Sequence, residues 1–589
     1  MKALRFLAKF REIPLAAAFA LFAFLSFGNE PEIENVFFTD ADWRTSPASL
    51  PFERDGLTRF SVSFGVNSFG KPFSLRLIPD DCAYDVIVNG KNLELGGKRG
   101  LCDFQNGFAL TPRDLEPVLQ DLNHFTVKIR NKGGPAGLDA RVLPASKFGN
   151  VARHLAALLF CAVLLSLLRR LKFPGWAASL LALAALLHAF YAFDTPYQSR
   201  SHDVGGHVAY VEHIVRTGTI PDAGACWTCY HPPLYYLTNA PVHAVGRALL
   251  GEPERAMQWF SFLLSCLTMA LGVAVLLRIM RGAPLAIACL LWCLWPELFL
   301  VAPRIGNDQL FYAVHCGALL GCVSWLRDRD ARGLFLAAVC CWIAWWTKST
   351  AAVTIALWWT ALGISAVRSL VLAEPAAGTD AAAGAKWFNP ALLAGCGLPA
   401  AIGLLRLLGG GDLVGNSDGL AEGLAVNSGL QNLLYFDLRE FLTTTWASPW
   451  EDAGGRQYLA TYMAKTSLFG EFRLLDTPLG NACATLMCFS AAGLAVFAVR
   501  GFVRRRIGAL ELFLLAQGFL FYAAMAALRV KYPFACSSDF RYAVPMLLSF
   551  VAFAAWGMEK ENAGAKWRLL RGSVLLFFVG PALVLCLSL

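Results

Sequence analysis

Charged residues are scarce in this chain of 589 residues. Asp, Glu, Lys and Arg together make up 16% of the sequence, against about 25% in a typical soluble protein. Hydrophobic residues make up 56% and aromatic residues 13%. So little charge over this length excludes an ordinary soluble protein and predicts a polytopic α-helical membrane protein.

The sequence also lacks the basic surface that would bind nucleic acid. Its formal net charge is +9, but Lys and Arg recur in short clusters between apolar stretches. A stripe of basic residues interleaved with aromatic residues is missing, which excludes nucleic acid as a partner. Basic clusters between apolar stretches instead indicate which loops remain in the cytoplasm.

Most of the 17 cysteines lie inside apolar stretches, where they act as small hydrophobic residues. Four others lie in polar segments. Cys82 and Cys102 fall in a region predicted to be outside the membrane, where a disulfide is permitted, and the sequence leaves them either bridged or free. Cys226-Trp-Thr-Cys229 has no second cysteine pair for a zinc site, so we expect a small disulfide or two free thiols.

The apolar stretches predict about 13 spans, because a helix needs about 20 mostly apolar residues to cross a bilayer. The first stretch, from about 14 to 27, resembles a signal peptide but has no convincing cleavage site. We therefore expect residues 1–28 to form an uncleaved first span. Residues 149–589 form the main multi-span domain, and the C-terminus lies outside.

The charge rule decides the status of residues 233–250. If this segment crossed the membrane, Arg278 and Arg281 would lie outside, so we expect a helix along the outer surface. The outer loops are then 194–256 and 410–478, the second of which is either a closing lid or a linker. A turn at Arg304, with Lys348 nearby, lies on the same side.

Residues 29–148 alternate apolar and polar side chains, as in Phe60-Ser-Val-Ser-Phe, with frequent turn signals. This pattern predicts an extracytoplasmic β-sandwich. The stretch Asp81-Cys-Ala-Tyr-Asp-Val-Ile-Val-Asn-Gly and the later Leu122-Asn-His-Phe-Thr-Val resemble galactose-binding-like jelly rolls. The resemblance leaves two roles open, a structural or assembly module and a glycan-binding module.

The outer loop 194–256 contains the densest group of polar residues. It begins with Ser201-His-Asp-Val-Gly-Gly-His-Val-Ala-Tyr, in which Asp203, His207 and Tyr210 fall on one face of a helix. Pro232 and Pro233 then stiffen the chain and restart a helix at Leu234-Tyr-Tyr.

These elements resemble the GT-C glycosyltransferases, and within them the bacterial mannosyltransferase-like and aminoarabinose-transferase-like branch. An Asp early in the first outer loop and a later Pro-Pro-Leu-x-Tyr are similar to motifs of that branch. So are Pro303-Arg-Ile-Gly-Asn-Asp-Gln-Leu, Trp346-Thr-Lys-Ser-Thr and Phe540-Arg-Tyr-Ala-Val-Pro. The motifs occur in the family's order between about 170 and 560. They are moderately specific for the superfamily and weakly specific for the substrate.

The resemblance implies transfer of a sugar from a polyprenyl-phosphate donor to a glycan, lipid or protein acceptor. It implies Asp203 as the catalytic base and Asp308 as a second catalytic carboxylate, with helix N-caps as the structural alternative for both. Lys348 and Arg541 are the phosphate-binding candidates, against snorkelling of Lys348 to the interface and pairing of Arg541 with Asp539. The remaining expected substrate contacts are His207, Tyr210, His231, Tyr235, Arg304, Asn307 and Tyr542.

A divalent metal ion is an open question, since His207 and His231 together with Asp203 offer ligands at a spacing that is not diagnostic. The charge rule predicts that the active site lies on the extracytoplasmic side, whereas placement in the bacterial inner membrane, with that side as the periplasm, follows from the resemblance. Two other functions stay open, a transporter of lipid-linked sugars and a non-catalytic glycan-binding protein. A transporter predicts internal repeats and charges at mid-membrane, whereas here the polar residues gather towards one side.

Overall fold

A computed structural model describes residues 32–54, 56–67, 73–96, 98, 100–115, 118, 122–131, 136–144, 147–195, 197, 200–250, 253–371, 424–450, 452–472, 474, 477–559 and 565–588. The chain divides into two compact units, 1–167 with 198–200 and 168–197 with 201–589. The predicted first span, residues 1–28, lies outside the described residues. So does the beginning of the predicted outer loop 410–478.

The first unit contains two antiparallel β-sheets. One has the strand order β2-β1-β4-β9-β6-β7 and the other β3-β10-β5-β8. In chain order the strands are β1 Glu32–Thr39, β2 Thr45–Pro47, β3 Phe52–Arg54, β4 Arg59–Asn67, β5 Phe73–Pro79, β6 Cys82–Val88, β7 Lys91–Asn92, β8 Phe108–Leu110, β9 Leu122–Arg130 and β10 Ala136–Pro144, with a short helix α1 at Pro112–Leu115.

One apolar core joins the two sheets. The alternation that predicted β4 is visible in its buried side chains, because Phe60, Val62, Phe64 and Val66 all point to the core. Phe125 of the larger sheet meets Phe73 of the smaller one with ring centroids 6.1 Å apart. The β-sheets predicted near the N-terminus are therefore present, whereas their assignment as an extracytoplasmic β-sandwich, the jelly-roll likeness and the role of the region stay predictions.

Both cysteine pairs of the polar segments are bridged, Cys82 to Cys102 and Cys226 to Cys229. The first pair connects positions 20 residues apart in the first unit. A loop of that size contributes roughly 3 kcal/mol on the chain-entropy model. Of the alternatives that the sequence left open, the structure has the disulfide in each case.

The second unit is helical and begins at residue 168, so most of the helix Lys147–Arg170 belongs to the first unit. The helices are α2 Lys147–Arg170, α3 Gly175–Asp194, α4 Val204–Thr217, α5 Leu234–Leu250, α6 Pro253–Ile279, α7 Gly282–Cys293, α8 Pro296–Leu300, α9 Asp308–Asp328, α10 Ala331–Trp345, α11 Ala351–Val371, α12 Leu430–Leu434, α13 Leu438–Thr443, α14 Leu459–Phe469, α15 Pro478–Arg504, α16 Ala509–Lys531, α17 Leu547–Gly557 and α18 Ala565–Ser588, with 3-10 turns at Gly455–Gln457, Ala535–Ser538 and Phe540–Met546.

Among the described residues, eight segments are long and apolar enough to cross a membrane: Gly175–Ala192, Pro253–Ile279, Asp308–Asp328, Ala351–Arg368, Pro478–Arg504, Ala509–Lys531, Ala535–Gly557 and Trp567–Leu587. The apolar helices α7 and α10 are shorter. The chain is thus a polytopic helical membrane protein, and the count of 13 spans stays a prediction. Neither α2, on the predicted second span, nor α5, on the predicted surface helix, is among the eight.

Two breaks in the helices place polar residues close together. Trp295-Pro296 separates α7 from α8, because proline supplies no backbone N–H to continue the first helix. Near the C-terminus, residues 535–546 form 3-10 turns before α17 begins at Leu547. The first break leads to the Arg304 turn, and the second contains Asp539 and Arg541.

Candidate active site

Asp203 lies at the N-cap position of α4, in the left-handed backbone region with φ 56°. Its side chain makes no capping hydrogen bond within the described part of the chain, so the structural alternative does not account for it. The carboxylate accepts a hydrogen bond from the indole Nε1 of Trp227 at 2.9 Å. Its other oxygen lies 3.7 Å from Nη2 of Arg541, and the side chain is 40% exposed.

Lys348 lies in the turn between α10 and α11, and its ammonium is ion-paired with Asp308. The ammonium also lies 4.8 Å above the ring of Tyr542. Burial lowers the pKa of Lys348 from its ordinary value, while the nearby Asp308 opposes that shift. A buried ammonium with a carboxylate and an aromatic face around it is not snorkelling to the interface.

Arg541 is buried beside Asp203 at the start of the 3-10 turn 540–546. Its Nε lies 3.3 Å from Asp539, so the pairing that the sequence suggested is present. Its Nη2 donates to the hydroxyl of Tyr542 at 2.8 Å, and Tyr312 donates to its backbone carbonyl. The guanidinium is fixed by its own segment and still faces Asp203.

Asn307, rather than Asp308, is the N-cap of α9, and Asp308 is the first helical residue. The N-cap alternative for Asp308 is therefore wrong, and its carboxylate is turned to Lys348. Asn307 donates from Nδ2 to the carbonyl of Thr347 at 3.2 Å. This bond joins the turn containing Asp308 to the turn containing Lys348, so Asn307 positions the pair.

The other expected substrate contacts on α4 and α5 form an aromatic cluster. His207 is hydrogen-bonded to Tyr236 at 2.9 Å and stacks on His231 with ring centroids 5.9 Å apart. Tyr210 is buried and stacks on Tyr236 at 3.7 Å. Burial lowers the pKa of His207 to about 4 and the pKa of His231 well below its ordinary value. Both imidazoles are therefore neutral near pH 7.

Tyr235 supports the Arg304 turn from within. It is fully buried, and its hydroxyl accepts a hydrogen bond from the backbone N–H of Gly306 at 2.9 Å. Arg304 pairs with Glu297 at 3.3 Å and lies over the ring of Phe472 at 5.0 Å. Two of its nitrogens, Nε and Nη2, are buried and have no hydrogen-bond partner among the described residues.

Sequence reasoning missed a third group of side chains, His202, Glu471 and Asp539, which lies beside the residues around Asp203 and the aromatic cluster. Nε2 of His202 lies 3.0 Å from Glu471 and 3.7 Å from Asp539. Burial, reinforced by Asp539, raises the pKa of Glu471 to about 8. Burial lowers the pKa of His202 well below its ordinary value. Glu471, inside the stretch Lys465-Thr-Ser-Leu-Phe-Gly-Glu-Phe, is a carboxylate among apolar residues, and the sequence suggested Asp539 only as a partner of Arg541.

Among the described residues, this third group is also the cluster at the site with geometry for a metal ion. The candidate ligand atoms of His202, Glu471 and Asp539 all lie within 4.8 Å of one another, and imidazole and carboxylate suit several divalent ions. Oδ2 of Asp539 is buried without a hydrogen-bond partner in the described part of the chain. The metal ligands considered from the sequence, His207 and His231 with Asp203, do not form such a cluster among these residues.

Comparison with known proteins gives weak structural similarities. The Archaeoglobus fulgidus oligosaccharyltransferase AglB, in complex with an inhibitory peptide and a dolichol-phosphate, matches at 13% identity and TM-score 0.40, over 70% of this chain and 55% of that one. ArnT from Cupriavidus metallidurans, bound to undecaprenyl phosphate, matches at 15% identity and TM-score 0.30, over 65% of this chain and 77% of that one.

The arabinosyltransferase EmbB from Mycobacterium smegmatis matches at 13% identity and TM-score 0.33, over 93% of this chain and 53% of that one. This chain thus spans about half the length of AglB and of EmbB. No family model and no curated protein matches. At TM-scores below 0.5 the structural likenesses carry no functional argument.

Proposed function

We propose that this protein is a membrane glycosyltransferase that moves a sugar from a polyprenyl-phosphate donor to an acceptor at the extracytoplasmic face. The observation that carries the proposal is the position of Asp203. A partly exposed carboxylate lies 3.7 Å from the buried Arg541, and Lys348 interacts electrostatically with the same carboxylate. A base and cations for a leaving phosphate are thus brought together.

The reaction is a displacement at the anomeric carbon. Asp203 accepts the proton of the acceptor hydroxyl, and the acceptor oxygen forms a bond to the anomeric carbon. The bond from that carbon to the phosphate oxygen breaks, and its electron pair remains on the lipid phosphate. Lys348 and Arg541 stabilise the negative charge that develops there.

Asp308 acts through Lys348 in this scheme. Its ion pair fixes the direction of the ammonium, and Asn307 fixes the turn beside it. A lysine that is buried without a partner loses its proton readily, so the carboxylate also maintains the charged form that binds phosphate. Arg304, with two unpartnered nitrogens among the described residues, is the third phosphate-binding candidate.

The test is transfer of labelled sugar from polyprenyl-phosphate donors by purified protein in lipid vesicles. Asp203→Asn removes the base and retains the size of the side chain, so we expect transfer to fall by about 10²- to 10⁴-fold. Asp222→Asn is the matched control, because Asp222 is an exposed carboxylate of the same outer loop. This control transfers sugar at the wild-type rate.

Equal transfer by wild type and Asp203→Asn would exclude Asp203 as the base. If wild type transfers no sugar from any donor but moves lipid-linked sugar across the vesicle bilayer, the protein is a transporter instead. Binding of glycan without transfer or movement favours the non-catalytic alternative.

A further inference from the structure

The turn 226–229, between α4 and α5, is closed on itself and packed against α4. Its two ends are joined by the Cys226–Cys229 disulfide, and the N–H of Cys229 donates to the carbonyl of Cys226 at 3.1 Å. Cys226 and Thr228 both contact α4 close to Gly206. A Cβ atom on Gly206 would lie 2.8 Å from Cγ2 of Thr228, so glycine is required for this close approach.

Thr228 and Cys229 of this turn are buried, but Trp227, which precedes them, projects outward with 56% of its surface exposed. Its polar edge nevertheless has a specific partner, because Nε1 donates to Oδ1 of Asp203 at 2.9 Å. An indole at a membrane surface needs no such partner to be stable there. The hydrogen bond therefore requires an explanation beyond interfacial anchoring.

Asp203 needs support from outside its own helix. Its backbone is in the left-handed region at φ 56°, which is strained for an aspartate, and its side chain makes no capping bond within the described part of the chain. Trp227 contacts one carboxylate oxygen, and Arg541 lies 3.7 Å from the other. The carboxylate is thus oriented between an indole and a guanidinium.

We infer that Trp227 is a positioning residue for Asp203, and that the Cys226–Cys229 disulfide holds it in place, so that the site works fully only in its oxidised form. This inference rests on the proposed function. Reduction by a dithiol transfers two electrons and two protons to the bridge, leaving two thiols here and a disulfide in the reductant. The turn then loses its closure, and Trp227 its fixed position.

Trp227→Phe tests the hydrogen bond to Asp203 alone, because the variant keeps an aromatic ring at this position. The variant retains a ring for the membrane surface and loses the N–H donor to a charged acceptor, a bond whose loss corresponds to about a tenfold or larger effect. We expect kcat for sugar transfer to fall about tenfold, with KM for the lipid donor unchanged. Trp359→Phe is the matched control, since Trp359 is an exposed tryptophan of α11.

Coupling between the groups provides the decisive readout, because groups that act through one another are not additive. In the Asp203→Asn background, Trp227→Phe should cause no further loss. The Cys226→Ser/Cys229→Ser variant should also lose activity, and adding Trp227→Phe to it should change little. Dithiothreitol should lower sugar transfer by wild type and leave sugar transfer by the Cys226→Ser/Cys229→Ser variant unchanged. Wild-type kcat in Trp227→Phe, or fully additive losses, would overturn the inference.

A spectroscopic measurement separates this inference from the proposed function. In protein labelled with 5-fluorotryptophan, the fluorine resonance of Trp227 is assigned by its absence in Trp227→Phe. We expect it to move in Asp203→Asn and on reduction of the disulfide. If wild type transfers no sugar, the proposed function fails, and an unmoved resonance independently overturns the positioning role.

Discussion

Lys348 and Lys465 are both buried lysines of the membrane unit, and each contacts a carboxylate, but their surroundings differ. Lys465 contacts two carboxylates, Asp452 at 2.9 Å and Glu440 at 3.2 Å, and its side chain is completely inaccessible. Lys348 pairs with one, Asp308, which is 21% exposed.

The difference indicates what each lysine does. The 3-10 turn before α14 packs closely against the ammonium of Lys465, since a Cβ atom on Gly455 would lie 2.7 Å from its Nζ. That lysine has no room for a ligand. The ammonium of Lys348 lies over the ring of Tyr542 and interacts electrostatically with Asp203. The side chain of Asp203 is partly exposed. Burial of a charge by itself therefore does not identify a functional residue, and we propose Lys348 rather than Lys465 because its carboxylate partner is single and partly exposed.

The largest effect on stability should come from Lys465→Met. This change leaves Asp452 buried without its cation, which costs about 3–5 kcal/mol when one partner of a buried ion pair is removed. The midpoint of thermal unfolding in detergent should fall accordingly. In Lys465→Met/Asp452→Asn, where the orphaned charge is also removed, we expect much of the stability to return. A single variant as stable as wild type would contradict the structural role.

Lys348→Met should have the opposite profile. We expect sugar transfer to fall about 10²- to 10³-fold, because a cation that stabilises the leaving phosphate is lost. Stability should change less than in Lys465→Met, since Asp308 reaches solvent. Adding Asp308→Asn should not restore transfer. The comparison of the two lysines is wrong if Lys348→Met unfolds the protein as much as Lys465→Met does, or if its transfer is unchanged.

The sequence was informative where the signal is local. Alternation predicted the strand at Arg59–Asn67, and apolar length predicted membrane-spanning helices such as Gly175–Ala192 and Pro253–Ile279, because each depends on neighbouring residues. The depth of Lys348 between two apolar runs marked it as unusual. The motifs predicted the turns of Asp203 and Asp308, and the structure brings these turns together.

The sequence was silent where the contact joins distant segments. His202 and Glu471 are 269 residues apart in the chain, and nothing in either segment specifies the other. The partners of Lys465, at separations of 13 and 25 residues, are equally invisible to periodicity. In the sequence, Trp227 was only the residue between two cysteines. Its bond to Asp203 could not be predicted, because that bond depends on how the turn 226–229 packs at Gly206. The spacing of residues predicts which side chains share one face of a helix. Which loops lie next to each other depends on the tertiary fold.

In the first unit, the carboxylate of Asp80 lies near other carboxylates rather than near a cation. Burial, with Asp81 and Glu53 nearby, raises the pKa of Asp80 to about 7 from an ordinary value of 3.8. The folded state therefore takes up a proton that the unfolded chain does not. Its contribution to stability is fully present below about pH 4 and is lost as the pH rises through about 7.

Asp80→Asn tests this smallest effect, because asparagine reproduces the neutral form at every pH. Since Asp80 is partly exposed, solvent screening reduces the expected gain at pH 8 to about 1–2 kcal/mol, with little change at pH 4. Hydrogen exchange of residues 73–88 in variant and wild type, compared at each pH, measures it. Asp42→Asn, at an exposed carboxylate, should show no difference at either pH. Equal protection of Asp80→Asn and wild type at pH 8 would mean that solvent reaches Asp80 freely and that burial does not raise its pKa in the folded state.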